Sequence, residues 1–344
     1  MNKETMKICL YLEFYHFLNG WLFKKVGTGL LSSYNHQKNM LNHLGIAFTE
    51  KWDDSCDILQ TNTPWLYSVY LIKKAKRAGK KVIIWSHTTM EDAMQVFRFM
   101  PFIAPLFKKY LTYAYGLADM VFCPSEYTKG LLMAYGLPEN KLMVRSNGVD
   151  LKRIYQDRGK RESGRALYGL NTLTVGTQGL VIPRKGIDTF LLMAKKFPDH
   201  QFIWFGKIYS KLLVKSLPAI LPKNVRFTGF VPDADICSAF NALDVFLFPS
   251  YEENQGISVL EAAAAGLPVV VRDIPVYNGW LIHEENCLKA KTDEEFERYI
   301  NMLLDDKNLR DKLGHNAQAL SRRESVETLA ASLEKIYKDI ITNY

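Results

Sequence analysis

The stretch 245–271 constrains this chain more than any other, because it reads as one strand–loop–helix–strand unit. Val245–Phe248 is a short apolar run closed by Pro249, the pattern of a buried strand. A loop with two acids, an amide pair and a glycine follows, then an alanine-rich helix over about 258–265 that Gly266 and Pro268 stop. Another apolar strand, 268–271, comes next. A βαβ unit binds its ligands at the carboxyl ends of its strands, so the loop after Phe248 is the expected binding edge. Glu253 and Glu261 lie eight positions apart, the first in the loop and the second about one turn into the helix. That spacing lets both face one crevice, with the backbone amides of Asn254, Gln255, Gly256 and Ile257 between them. Carboxylates accept hydrogen bonds from sugar hydroxyls, and free amides at a helix start donate to a polar ligand. Two arbitrary acids would more often be a cap and a solvated helix residue; here the surrounding pattern decides.

That pattern resembles the E-x7-E signature of the retaining glycosyltransferases of family 4, in flanking strand, acid spacing and helix stop alike. The resemblance spans essentially the whole chain and is strongest over 173–271. It implies an α/β protein of the GT-B fold: two Rossmann-like, doubly wound lobes facing across a cleft. An N-terminal acceptor and membrane-binding lobe would cover 1–148, and a nucleotide-sugar-binding lobe 149–325. The last helix, about 326–344, would cross back onto the first lobe. The implied chemistry is transfer of a hexose from a UDP-sugar with retained anomeric configuration, with no metal and no further cofactor. Glu253 would lie by the donor sugar and Glu261 would hold the ribose.

At 344 residues the chain is long enough for two ordinary domains, each with its own core. Five cysteines without a C-x-x-C pair suggest reduced thiols in a cytosolic protein. No signal peptide is recognisable, and no uncharged run approaches the roughly 18 residues needed to span a bilayer. The net charge of +8 is unevenly placed. Residues 1–150 hold 18 basic and 12 acidic groups, 151–250 hold 15 and 7, and 251–344 hold 11 and 17. A basic front suggests an anionic partner: a membrane surface, a nucleotide or a nucleic acid. No nucleic-acid-binding motif accompanies the charge, so a nucleic-acid partner is not expected.

In chain order, strands are expected at 6–12, 56–60, 81–85, 119–122 and 142–145 in the first lobe. Gly27 and Gly29 open a helix running to Leu44, where glycine permits close approach to phosphate or sugar. In the family such a loop closes over the donor. The helix before Trp85 carries Lys73, Lys74, Lys76, Arg77, Lys80 and Lys81, six basic residues in nine positions with no acid among them. Anionic lipid headgroups suit such a face, and a merely solvated face is the bland alternative. His87 follows the strand 81–85 directly, at a ligand-binding strand end, and the resemblance assigns it contact with donor sugar or acceptor. The segment from Val96 to Tyr110 crowds aromatic and aliphatic residues around two prolines and two lysines. It suits an interfacial lip for a lipid acceptor, or else a helix packed into the core.

Residues 151–166, polar and basic, read as a hinge-side connection. The second lobe opens with a strand over 173–177, then Arg184, Lys185 and Gly186 before a helix from about Ile187. Two cations at a helix N-terminus suit a diphosphate, and the resemblance gives them the donor diphosphate. Many relatives have a further arginine just after the strand's glycine, where Gln178-Gly179 stands here. Strands follow over 201–205 and 225–228, and the loop at Phe230 would hold the nucleobase through backbone groups. Asp233-Ala234-Asp235 superficially matches a metal motif, but its place before a helix favours capping. The subgroup resembled builds bacterial glycolipids, which implies a diacylglycerol glycolipid acceptor at the inner face of the cell membrane. A family member acting on a polysaccharide or soluble sugar is the alternative.

Overall fold

The computed structural model describes residues 6–13, 29–96, 100–208 and 221–343. The first half builds a six-stranded sheet from β1 (Lys7–Tyr11), β2 (Ala47–Thr49), β3 (Ile58–Thr61), β4 (Lys81–Trp85), β5 (Met120–Cys123) and β6 (Leu142–Val144). The second half builds another from β7 (Thr174–Gln178), β8 (Gln201–Phe205), β9 (Val225–Gly229), β10 (Val245–Phe248), β11 (Val269–Arg272) and β12 (Leu288–Ala290). Their spatial orders are β2-β1-β3-β4-β5-β6 and β12-β11-β10-β7-β8-β9. Every pairing between these strands is parallel.

Parallel strands are covered on both faces, which is why they read as unbroken apolar runs. Along β10, Phe246 and Phe248 enter one buried cluster while Val245 and Leu247 enter another, as strand alternation requires. Along β4, Val82 and Ile84 face one side, and Ile83 and Trp85 the other. The strand order reverses between β7 and β10, and again between β1 and β3. Crevices open at such switch points, so the loops after β7 and β10 share one.

The final helix, Val326–Asn343, packs Val326, Ala330, Leu333, Tyr337 and Ile340 into the cluster that holds Ile8, Leu10, Met40 and Trp85. Its buried Tyr337 hydroxyl lies 2.8 Å from Gln60 Oε1 on β3. Tyr337→Phe therefore strands a buried acceptor, and chemical denaturation should show a loss of about 1–3 kcal/mol. A loss below a few tenths would mean that the contact contributes little.

Several expected elements shift. The basic helix is Leu66–Arg77, so Lys80 and Lys81 lie beyond it, and Lys81 opens β4. Gly79, at a φ of 68°, makes the turn that separates them. Met100–Gly116 is one helix that runs through Pro105, held by Leu111, Ala114 and Tyr115 in the core; residues 97–99 lie outside the described residues. The presumed connection contains the helix Arg158–Tyr168, capped by Asp157. Two of its basic residues face inward, with Arg161 Nη2 2.6 Å and Arg165 Nη1 3.2 Å from the Asp244 carboxylate. The edge strands β2 and β12, three residues each, were not anticipated.

Candidate active site

The loop after β7 and the loop after β10 meet through charge. A short turn, Pro183–Lys185, precedes the helix Ile187–Lys196. Gly186, between them at a φ of 73°, passes so close to β10 that a Cβ there would sit 2.2 Å from the Pro249 carbonyl oxygen. Only glycine allows this approach, and it carries Arg184 and Lys185 to the acidic loop. Lys185 Nζ is ion-paired with Glu253 Oε1, and Arg184 Nη1 lies 3.5 Å from the same oxygen. Arg184 Nη1 also donates to the Glu252 carbonyl at 2.6 Å. Burial alone would raise the Glu253 carboxyl, but the Lys185 and Arg184 cations hold it below its ordinary value.

The first lobe closes the cluster. Asp92, on the helix Met90–Val96, lies 3.0 Å from Arg184 Nη1. Tyr127, on the helix Glu126–Ala134, donates to Glu252 Oε2 at 3.2 Å. Burial pushes the Glu252 carboxyl up to about 7, against the pull of that hydroxyl. Arg184 Nε and the Tyr277 hydroxyl are buried and have no hydrogen-bond partner among the described residues. Unsatisfied buried donors call for a ligand or water, and both stand beside the acid–cation cluster.

Glu261 lies on the helix Ile257–Ala264 and is buried too, but in a different charge cluster. Arg153 Nη1 donates to Glu261 Oε1 at 2.6 Å, and Arg153 Nε to Asp233 Oδ1 at 2.6 Å. Burial raises the Glu261 carboxyl, with Arg153 opposing it. No hydrogen bond engages Glu261 Oε2 among the described residues. Asp233 thus serves an ion pair in the first turn of the helix Asp233–Asn241, whose N-cap is Pro232 with no side-chain cap bond. The side-chain cap bond is missing, but Asp233 and Asp235 both lie in the first turn, where the helix dipole favours acids.

The side chains of Asn254 and Gln255 bind within the protein, apart from the backbone amides expected to meet the donor. Asn254 Nδ2 donates to the His87 carbonyl at 3.0 Å, and the Asn254 carbonyl accepts from Ser125 and Thr128 at 2.8 and 3.1 Å. Gln255 Oε1 accepts from the backbone and side-chain nitrogens of Asn147 at 2.9 and 2.8 Å. Both side chains fasten the loop to the first half of the chain. Gly256, at a φ of 96°, precedes the helix at Ile257, and a Cβ on it would sit 3.3 Å from the Tyr277 ring.

His87 follows β4 and stacks on Trp85 with ring centroids 5.6 Å apart. Burial holds its imidazole down to about 3, so it is neutral near pH 7. Gly29 starts the helix Gly29–Leu44, and a Cβ on it would lie 3.9 Å from Ile257 Cδ1. The two helix starts therefore abut. Gly27 lies outside the described residues. Phe230 follows β9 at the sheet's edge, partly exposed, and no hydrogen bond or ring contact joins it to the cluster among the described residues. Gln178 Oε1 accepts from Ser258 Oγ, so the amide that stands near the relatives' arginine ties β7 to the helix at Ile257. Among the described residues, no three His, Cys, Asp or Glu side chains form a metal-holding group.

Sequence reasoning missed Arg153, Asn147, Asp92's pairing and Tyr127. Each reaches its partner across 92 or more positions, and no local pattern announces it.

A broad exposed face lies on the first half. The helix Met100–Gly116 packs on the residues that lead into the helix Leu66–Arg77, Phe107 meeting Trp65 and Tyr110 donating to the Pro64 carbonyl at 2.7 Å. The two helices present Leu66, Phe102 and Leu106, which are 77%, 87% and 71% exposed, with Tyr70 and Tyr113 nearby in sequence. Lys73 Nζ lies 5.5 Å from the Tyr113 ring centroid, so basic and apolar groups share this face. No described helix is long and apolar enough to cross a membrane.

Comparison with known proteins gives this arrangement a context. Residues 29–153 match the Glycosyltransferase Family 4 domain, and 171–320 match the Glycosyl transferases group 1 domain. The chain is 34% identical to the processive diacylglycerol alpha-glucosyltransferase of Acholeplasma laidlawii, over 98% of this chain and 99% of the relative. It is 26% identical to the alpha-galactosylglucosyldiacylglycerol synthase of Streptococcus pneumoniae, over 89% of this chain and 84% of that one. Among solved structures, Anabaena HepE in complex with UDP-glucose superimposes with a TM-score of 0.77 at 19% identity, covering 97% of this chain and 100% of HepE. At that identity the likeness is one of fold.

Proposed function

The chain belongs to the group 1 and family 4 glycosyltransferases of the GT-B fold, and we propose that it moves a hexose, glucose or galactose, from a UDP-sugar to a membrane glycolipid. Monoglucosyldiacylglycerol is the expected acceptor and a diglycosyldiacylglycerol, the anchor type of lipoteichoic acid, the expected product. The observation behind this reading is the full-length identity to a diacylglycerol glucosyltransferase, in a chain whose two acids each sit buried against cations. The acceptor lobe would be 1–148 with the final helix, and the donor lobe 149–325.

In this reading Arg184 and Lys185 take up the negative charge that develops on the departing diphosphate, where preorganised cations in a dry site contribute most. Glu253, held ionised by them, orients the sugar. Glu261 accepts from the ribose hydroxyls, the loop at Phe230 holds the base, and the loop at Gly27 and Gly29 lies over the donor. Asn254, Gln255, Gly256 and Ile257 offer their backbone amides. His87 acts on the acceptor side. The basic, apolar face at Leu66–Arg77 and Phe102–Leu106 supports docking to the anionic inner leaflet, where each cation near the surface contributes about 1 kcal/mol.

A donor-by-acceptor assay tests this. UDP-glucose and UDP-galactose are offered with diacylglycerol, monoglucosyldiacylglycerol or a soluble glucoside, in anionic vesicles. A labelled diglycosyl lipid is expected, and the productive donor identifies the sugar. UDP release with the soluble glucoside alone would keep the transferase and overturn the lipid acceptor.

A further inference from the structure

We propose that a buried relay from the acidic loop to the first sheet fixes the proton of His87 on Nε2, leaving Nδ1 as a permanent hydrogen-bond acceptor. Ser33, Asn62 and Asn147 become positioning residues for the transfer. The inference rests on the reading of His87 as a site residue, but its logic is independent of the substrate.

Two backbone groups have hydrogen-bonding roles that are not open to choice. The Asn147 N–H can only donate, so the Gln255 atom 2.9 Å away is the amide oxygen. That oxygen also receives Asn147 Nδ2 at 2.8 Å, which turns Asn147 Oδ1 toward Ser33. Ser33 Oγ, 2.7 Å from Asn147 Oδ1, must give its only proton there. Toward His87 Nε2, at 3.2 Å, Ser33 is then an acceptor. The second anchor is the Tyr11 carbonyl, which can only accept. It receives Asn62 Nδ2 at 3.4 Å, turning Asn62 Oδ1 toward His87 Nε2 at 3.3 Å.

Gln37 agrees with both assignments. Its Nε2 donates to Asn62 Oδ1 at 2.6 Å and to Ser33 Oγ at 3.2 Å, while its Oε1 accepts from Gln60 Nε2 at 2.8 Å. Both groups facing His87 Nε2 are therefore acceptors, reached by separate routes. An imidazole nitrogen between two acceptors carries the proton, and in a neutral ring the other nitrogen then has the lone pair. Ser33, Gln37, Gln60, Asn62, Asn147 and Gln255 are all buried, so water does not readily replace these bonds. Because Gln255 is the second residue after Glu253, the loop that carries the acid also sets the histidine's tautomer. The ring presents a lone pair to a substrate hydroxyl and has no proton to give from Nδ1.

The test is nitrogen NMR on the full chain with labelled histidine, the His87 signal being the one of seven that His87→Gln removes. The expected spectrum has a protonated Nε2 and a bare Nδ1, unchanged between about pH 5 and 8. A proton on Nδ1, or an imidazolium in that range, overturns the proposal. Ser33→Ala breaks the relay from outside the acidic loop. Asn62 Oδ1 remains as the second acceptor, so the proton should stay on Nε2. The less tightly held ring should lower kcat by about tenfold or more, short of the full 10² of a general acid–base group, with the donor KM within about twofold. Adding Asn62→Ala removes both acceptors and should mix the tautomers. Ser33→Thr, which keeps the hydroxyl, should retain kcat within about threefold. An unchanged kcat in Ser33→Ala would remove Ser33 from the role, and an unchanged tautomer in the double variant would overturn the relay; should these variants not fold, the unmutated protein's spectrum still decides. If the tautomer is as stated but no UDP-sugar is turned over, the proposed activity fails and this inference stands.

Discussion

Lys185→Met should cost the protein both its activity and a good part of its stability, and the two losses can be separated. On the proposed mechanism the ammonium offsets charge on the departing diphosphate, and deleting one such group lowers kcat by about 10²–10³. Structurally, the change leaves Glu253 buried with Arg184 Nη1 at 3.5 Å as its nearest cation. Arg184 is shared with Asp92 at 3.0 Å, so it cannot fully replace Lys185. Breaking a buried pair from one side typically costs about 3–5 kcal/mol, because the remaining charge is uncompensated. Adding Glu253→Gln removes that charge, and urea denaturation should show most of the stability returning. Activity should not return, since the double variant lacks both groups. A double variant as unstable as the single one would show that packing, not charge, governs the loss. Full activity in Lys185→Met would contradict the role given to the lysine.

The strands bearing the site could be read from the chain because parallel, two-faced burial writes itself as local apolar runs. KVIIW, QFIWF and VFLF gave β4, β8 and β10 with the bounds they have. Gly266 and Pro268 likewise announced the stop of the helix bearing Glu261. The edge strands β2 and β12 left no such run: Ala47–Thr49 is not buried at any position. The proposed donor groups were legible as residue types, but their partners were not. Glu261 and Arg153 are 108 positions apart, and Lys185 and Glu253 68. For Asn254 and Gln255 the expectation concerned backbone amides, and the partners of their side chains were not legible. These side chains bridge to His87 and Asn147, because folding brings the carboxyl ends of β4 and β10 together. Ser33, Gln37 and Asn62 looked like ordinary polar residues, yet all three are buried. What hid them is that polar burial is licensed by partners, and partners are a property of the fold.

Glu261→Ala should raise the dissociation constant for UDP by about 30-fold to 140-fold in titration calorimetry, if each of two ribose hydroxyls loses a bond of about 1–1.5 kcal/mol. Arg153 takes Oε1 at 2.6 Å, and Oε2 has no hydrogen bond among the described residues, so the carboxylate is aimed and still half available. The arginine would also keep the carboxylate ionised against the burial that raises it. Two comparisons separate recognition from support. Glu261→Gln keeps one acceptor oxygen but loses the charge that holds Arg153, so its affinity should fall between those of the unmutated protein and Glu261→Ala. Arg153→Ala removes the guanidinium and leaves Glu261 buried without it, so it should lower stability more than Glu261→Ala does. In the latter, Arg153 retains Asp233 at 2.6 Å. If UDP affinity is unchanged in Glu261→Ala while its unfolding midpoint drops, the residue serves as a lobe-internal ion pair, and the ribose must be held by another group.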